Sequence, residues 1–279
     1  MTDSSKALIW VSLFAALVGS GMAADPYDRI YVFGDSYSDS GAGYLDGDGP
    51  TAVAYMAERF GISLLPANSP DAAGKSLNFA VSGARTGSGT GRRVKDALLG
   101  LGMRNQVEDF ATRARSHAIT FDPKTTLFFL AGGLNDKSLP SETTVENLKS
   151  EIKILYDSGG RRFMVALLPT AIPGFSAVGQ RLNPELARIP QEIAAEIPGA
   201  SVGLSRWGLF FDEVMRNPAQ YGIENTKDAC AGRAIFDEDP SPCSTPAAHF
   251  YYHAGHPSTA VHKAVGEKLY RELLGLPPH

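Results

Sequence analysis

Four short blocks of the chain hold residue types that can do acyl-transfer chemistry together. Gly34-Asp35-Ser36 offers a hydroxyl, and Ser82-Gly83-Ala84 an unencumbered backbone N–H. Gly132-Gly133-Leu134-Asn135-Asp136 offers a side-chain amide, and His256-Pro257-Ser258 an imidazole. A serine oxygen is a weak nucleophile until a base takes its proton, and histidine titrates in the range suited to that task. Attack on a carbonyl creates an oxyanion, which needs N–H donors aimed at it. The Ser36 and Gly83 backbone N–H groups and the Asn135 side chain are donors of the right kind. Alone, each block has a plainer reading: a serine N-cap, a turn glycine, an Asx-turn and a surface histidine.

Position along the chain turns the balance. Apolar runs of strand length occur at 29–33, 77–81, 126–130, 163–168 and, more weakly, 200–204. Helical patterns lie between them, at 51–60, 105–117, 141–156 (Thr143 and Glu146 have capping-box spacing), 184–196 with Pro184 in its first turn, and 207–216. A last helix begins near Ser258, with Val261, Val265, Leu269 and Leu273 on one face. Strands apolar throughout and alternating with helices imply a parallel sheet covered on both faces. The expected fold is therefore a three-layer α/β/α sandwich with a central parallel sheet of about five strands. Open α/β sheets bind ligands at the carboxyl ends of their strands. Ser36, Gly83 and Asn135 each follow such an end.

Bulk composition narrows the class further. The chain has 279 residues and a formal net charge of -4, with basic residues scattered and no basic stripe, so nucleic acid is not an expected partner. Lys6, the apolar run 7–18 and the small residues up to Ala24 have the layout of a secretory signal peptide cleaved after Ala23 or Ala24. That run is too short for a bilayer span, which takes ~20 apolar residues. The expected layout is thus a signal at 1–24 and one domain at 25–279, in a secreted or periplasmic protein. In such a compartment the two cysteines, Cys230 and Cys243, are expected to pair. The disulfide would staple a segment, 218–255, that reads as irregular and has little core of its own.

The set Ser36, Gly83, Asn135 and His256, in this order and spacing, resembles the GDSL/SGNH hydrolase superfamily over essentially the whole mature chain. Tyr37 stands where the family's name has Leu. Finer features resemble its phospholipase/lecithinase/hemolysin-like branch: Asn78-Phe79-Ala80, Phe210-Phe211-Asp212-Glu213-Val214, Asn217-Pro218 and the run Asn225 to Cys230. The resemblance implies a flavodoxin-like sandwich and a serine esterase or lipase working through an acyl-enzyme on Ser36. His256 is then the base, and Ser36, Gly83 and Asn135 form the oxyanion hole, with no cofactor. The implied substrates are short-chain acyl esters or lysophospholipids, with acetylated carbohydrate as the alternative.

One departure bears on mechanism. The family usually has Asp three residues before the histidine, and this chain has His253 there. That acid normally orients the imidazole and stabilises its charged form. Three accounts follow: His253 or a backbone carbonyl orients His256; another carboxylate reaches in, with Asp237 and Asp239 nearest in sequence; or the chain is weak or has become a non-catalytic binding domain. The first is preferred because the other parts are intact, and it expects His253→Asp to retain or raise activity.

Other constellations give less. His249, His253 and His256 lack metal-site spacing, with Gly255 and Pro257 between them, so no metal is expected. Asp46-Gly47-Asp48-Gly49 lacks a calcium loop's ligand series and reads as a turn near the site entrance. Gly87-Ser88-Gly89-Thr90-Gly91 is not a dinucleotide fingerprint, because Arg92 follows.

Overall fold

The computed structural model describes residues 26–277; the expected signal segment lies outside them. The chain runs β1 (Arg29–Gly34), α1 (Ala52–Arg59), β2 (Leu64–Pro66), β3 (Ser76–Asn78), β4 (Thr90–Val94), β5 (Ala97–Leu101), α2 (Met103–Arg115) and β6 (Thr126–Ala131). It continues with α3 (Ser141–Asp157), β7 (Arg162–Ala166), α4 (Ser176–Leu186), α5 (Ile189–Glu196), β8 (Ser201–Ser205) and α6 (Trp207–Arg216). Last come β9 (Asn225–Ala229), β10 (His249–His253), β11 (His256–Pro257) and α7 (Thr259–Leu273).

The central sheet has six strands in the order β2-β3-β1-β6-β7-β8, all parallel. β1 and β6 are its middle and are apolar and buried after their first residues, Arg29 and Thr126, as expected of strands covered on both faces. Alternate side chains of β1 point opposite ways. Tyr31 and Phe33 pack edge-on against Phe110 of α2. α2, α3, α4 and α5 form one helical group, and α1, α6 and α7 the other. The aromatic layer of Tyr31, Phe33, Phe110 and Phe128 is buried almost without exposure. Truncating one such ring to alanine typically costs about 3–5 kcal/mol.

One local expectation is refined and three need correction. The sheet has six strands rather than about five: the extra one is β2, three half-buried residues at the edge, too short to show periodicity. Pro66 there costs no ladder bond because an edge strand tolerates a missing N–H. The helix expected from Pro184 is two helices: Pro184 sits near the end of α4, and Pro190 is the proline in the first turn of α5. No capping box forms at Thr143, because α3 starts at Ser141 and Thr143 lies inside it. The segment 218–255 is partly ordered as a second sheet, β11-β10-β9.

Candidate active site

β1 ends at Gly34 because nothing larger fits: a Cβ there would lie 2.6 Å from the Ala131 carbonyl oxygen of β6. The chain then makes one tight turn, in which the Ser38 and Asp39 N–H groups donate to the Asp35 carbonyl. Ser36 sits at its start, 8% exposed. Burial, with the charges of Asp136 and Asp39 adding to it, pushes the Asp35 carboxyl up to about 8 against the hydrogen bond from the Tyr37 N–H. Its Oδ1 accepts from the Tyr37 N–H and so braces the turn.

Gly83 adopts φ +79, a left-handed conformation that L side chains avoid. Neither its N–H nor the Ser36 N–H meets an acceptor among the described residues. Asn135 follows β6, and one hydrogen of its Nδ2 donates to the Ala84 carbonyl at 2.9 Å. Its second is left for a ligand. The neighbouring Asp136, buried, accepts from the Thr86 backbone and hydroxyl and from Thr144, clamping the Gly83 loop to the Asn135 loop.

His256 comes from a different part of the molecule. β10 and β11 pair as a tight hairpin with His253 opposite His256. His256 Nε2 lies 2.9 Å from Ser36 Oγ, and its Nδ1 lies 3.1 Å from the Ala254 carbonyl oxygen. A carbonyl only accepts, so Nδ1 carries the hydrogen and Nε2 is free to accept the serine's. Burial holds the His256 pKa below its ordinary value, while nearby Asp46 and the Ala254 carbonyl pull the other way. The imidazole is therefore neutral at pH 7, the form able to accept a proton. Tyr37 ties the two halves together: buried against Trp207 and Phe211, it donates its hydroxyl to the Gly255 carbonyl at 2.8 Å.

Of the preferred account, the backbone carbonyl is in place, Ala254 against His256 Nδ1, but the residue three before the histidine behaves differently. His253 does not orient His256; its Nδ1 donates to Asp46 Oδ1 at 2.7 Å. Nor do Asp237 and Asp239 reach in. Asp237 pairs with Lys95 at the surface, and Asp239 accepts from the Ser241 N–H. The carboxylate that does reach in is Asp46, 7% exposed, whose Oδ2 is 3.3 Å from His256 Nε2. Its loop is held at both ends. Asp39 accepts four backbone N–H groups, from Gly41, Gly43, Tyr44 and Ser82, and Asp48 accepts from the Thr259 N–H at the start of α7. Sequence reasoning placed this turn near the entrance but gave its carboxylate no role; two aspartates in a glycine-rich turn after the serine block were the available signal.

Ser36, Asp46, Gly83, Asn135 and His256 line one cleft of about 500 Å³. Its walls are the β4–β5 hairpin, with Arg92 and Leu99, and the disulfide loop, with Arg233, Ile235 and Phe236. The disulfide joins Cys230 and Cys243, as expected. Both sulfurs are therefore spent, and their nearness to His249 makes no metal site.

The sequence profile of the GDSL-like lipase/acylhydrolase family matches residues 30–269. The chain belongs to that family. It is accordingly a carboxylic ester hydrolase. Among curated relatives of this GDSL protein, a GDSL esterase/lipase of Arabidopsis thaliana is 23% identical over 85% of this chain and 84% of its own length. The thermolabile hemolysin of Vibrio parahaemolyticus is 24% identical over 90% of this chain, which spans 65% of the hemolysin. Similar solved structures include a catalytic mutant of an acetylxylan esterase from Geobacillus stearothermophilus, with TM-score 0.46 and 14% identity over 91% of this chain and 97% of that one. A lipolytic protein of the G-D-S-L family from Veillonella parvula has TM-score 0.41 and 16% identity over 68% of this chain and 82% of its own.

Proposed function

We propose that the protein is an exported serine esterase that hydrolyses short- to medium-chain acyl esters through an acyl-enzyme on Ser36. The observation that carries this is the 2.9 Å approach of His256 Nε2 to Ser36 Oγ, with Nδ1 occupied by the Ala254 carbonyl. The Ser36 oxygen attacks the ester carbon while its proton passes to Nε2, and the carbonyl π pair moves onto oxygen. The Ser36 and Gly83 N–H groups and the Asn135 amide hold that oxyanion. Collapse breaks the ester C–O bond, and Nε2–H protonates the departing alcohol. In the second half water gives its proton to Nε2 as its oxygen adds to the acyl carbon. Ser36 then leaves and recovers the proton. A cleft of about 500 Å³, apolar along Leu99, Ile235 and Phe236, suits an acyl chain. Residues 1–24 act as the export signal and 25–279 form one domain, a reading that the Cys230–Cys243 disulfide supports. Among the described residues no helix is long and apolar enough to cross a membrane.

The test is hydrolysis of p-nitrophenyl esters from acetate to palmitate by the wild type and Ser36→Ala. The expected result is a loss of at least ~10⁴-fold in kcat for the variant, at unchanged fold, with the wild type best on the shorter chains. Activity that survives Ser36→Ala would overturn the serine mechanism. Preference for palmitate would overturn the chain-length assignment.

A further inference from the structure

The missing aspartate leaves a question of charge. When Nε2 takes the serine proton, His256 becomes a largely buried cation, and at Nδ1 it meets the neutral dipole of the Ala254 carbonyl. A buried imidazolium without a counter-charge is costly, and the cost falls on the transition state. The charged and titratable groups around the ring come from four elements. Asp46 is on the loop after β1, Arg233 on the disulfide loop, His253 on β10, and His262 on α7. Tyr37, on the serine turn, packs its ring 5.8 Å away. Among the described residues Asp46 is the one anion facing the ring, and it faces Nε2 rather than Nδ1.

We propose that Asp46 is the counter-ion of His256 in catalysis, acting from the Nε2 side of the ring, and that His253 is the positioning residue that aims it. The inference rests on the serine-esterase reading above. His253 Nδ1–H grips Oδ1 at 2.7 Å, and both side chains are nearly buried, at 6% and 7% exposure. That grip leaves Oδ2 toward Nε2 at 3.3 Å and toward Arg233 Nη1 at 3.6 Å. In the resting state the serine hydroxyl owns the Nε2 lone pair. After transfer, Nε2–H points between the reacting oxygen and Oδ2. No proton passes to Asp46: it keeps its charge, and the Nε2 proton goes on to the leaving alcohol. The substitution at His253 thus follows from the move of the acid. A carboxylate at position 253 would confront Asp46 itself, so His253→Asp should lower activity, contrary to expectation from the sequence.

The experiment compares wild type, Ser36→Ala, Asp46→Asn, Asp46→Ala and His253→Gln on p-nitrophenyl acetate across pH, with thermal melts of each. Asp46→Asn is expected to lose about 10²-fold in kcat with KM within about threefold, because it removes the charge and can present an amide N–H to Nε2. Loss of the anion also makes protonated His256 harder to form, so the acid limb of kcat/KM should move to lower pH. Formate should restore activity to Asp46→Ala, and His253→Gln, which keeps an N–H donor, should retain most of it. A merely structural Asp46 would move the melts but neither the acid limb nor the formate response. Unchanged kcat and acid limb in Asp46→Asn, with Ser36→Ala dead, would overturn this inference alone. Activity in Ser36→Ala would overturn the underlying reading.

Discussion

The two halves of the site are built on different principles. Ser36, Gly83 and Asn135 stand at the carboxyl ends of β1, β3 and β6, three strands adjacent in one parallel sheet. Their spacing follows from strand pairing, which is stiff and stapled by Asp136 and Gln106. His253 and His256 come from the small β10–β11 hairpin and Asp46 and Arg233 from loops, and nothing in the central sheet sets their places. What sets them is a handful of long-range polar ties: Tyr37 to Gly255, Asp48 to Thr259, and the disulfide loop hung from β10 by the Cys230 and Ala231 N–H groups. Such ties are worth about 1 kcal/mol each, so the base half should be the softer one.

That contrast can be broken or sharpened by substitution. Asn135→Ala removes a donor from the stiff half. It is expected to cost about 10²–10³-fold in kcat with no change in melting, since the sheet holds the loops without it. A loss of melting temperature instead would show that the site loops lean on Asn135. Cys230→Ser with Cys243→Ser acts on the soft half. The loop it opens, with a sequence separation of 13, should cost roughly 3 kcal/mol in denaturant unfolding. It should also lower kcat while a fluorophosphonate, which reacts with an activated serine, still labels Ser36. Equal losses of both would mean that the two halves are not separable.

A separate effect is on stability against pH. His262, buried behind the site, accepts from the Ala52 N–H, and burial pushes its pKa down to about 3. Its folded pKa lies below the unfolded value, so the folded state refuses a proton that the unfolded chain takes. Stability should therefore fall by about 1.4 kcal/mol per pH unit from this group as pH drops from about 6.5 toward about 3. His262→Asn, which keeps an acceptor, should flatten that part of the profile. An unchanged slope would place the acid sensitivity elsewhere.

The same division explains how far the sequence could be read. The stiff half was legible because continuous apolar runs of strand length locate carboxyl ends, and a serine, a glycine and an asparagine fell there. β2 escaped because three edge residues carry no period. Asp46 escaped because its partner lies more than two hundred positions away, and loop-to-loop contact leaves no periodic trace. Reading the acid by nearness in sequence pointed to Asp237 and Asp239, which chain proximity keeps close in number but not in space. His253 was marked as unusual from the sequence, and the structure supplies the reason: it donates to the carboxylate that occupies the neighbourhood.

The most direct test of the central claim is covalent trapping of the nucleophile. A fluorophosphonate should label one residue, Ser36, located by peptide mass spectrometry, at a rate that rises as His256 loses its proton at a pH below 6.5, the side to which its burial shifts it. His256→Ala should slow labelling by orders of magnitude. Labelling at another residue, or an unaltered rate in His256→Ala, would contradict the account.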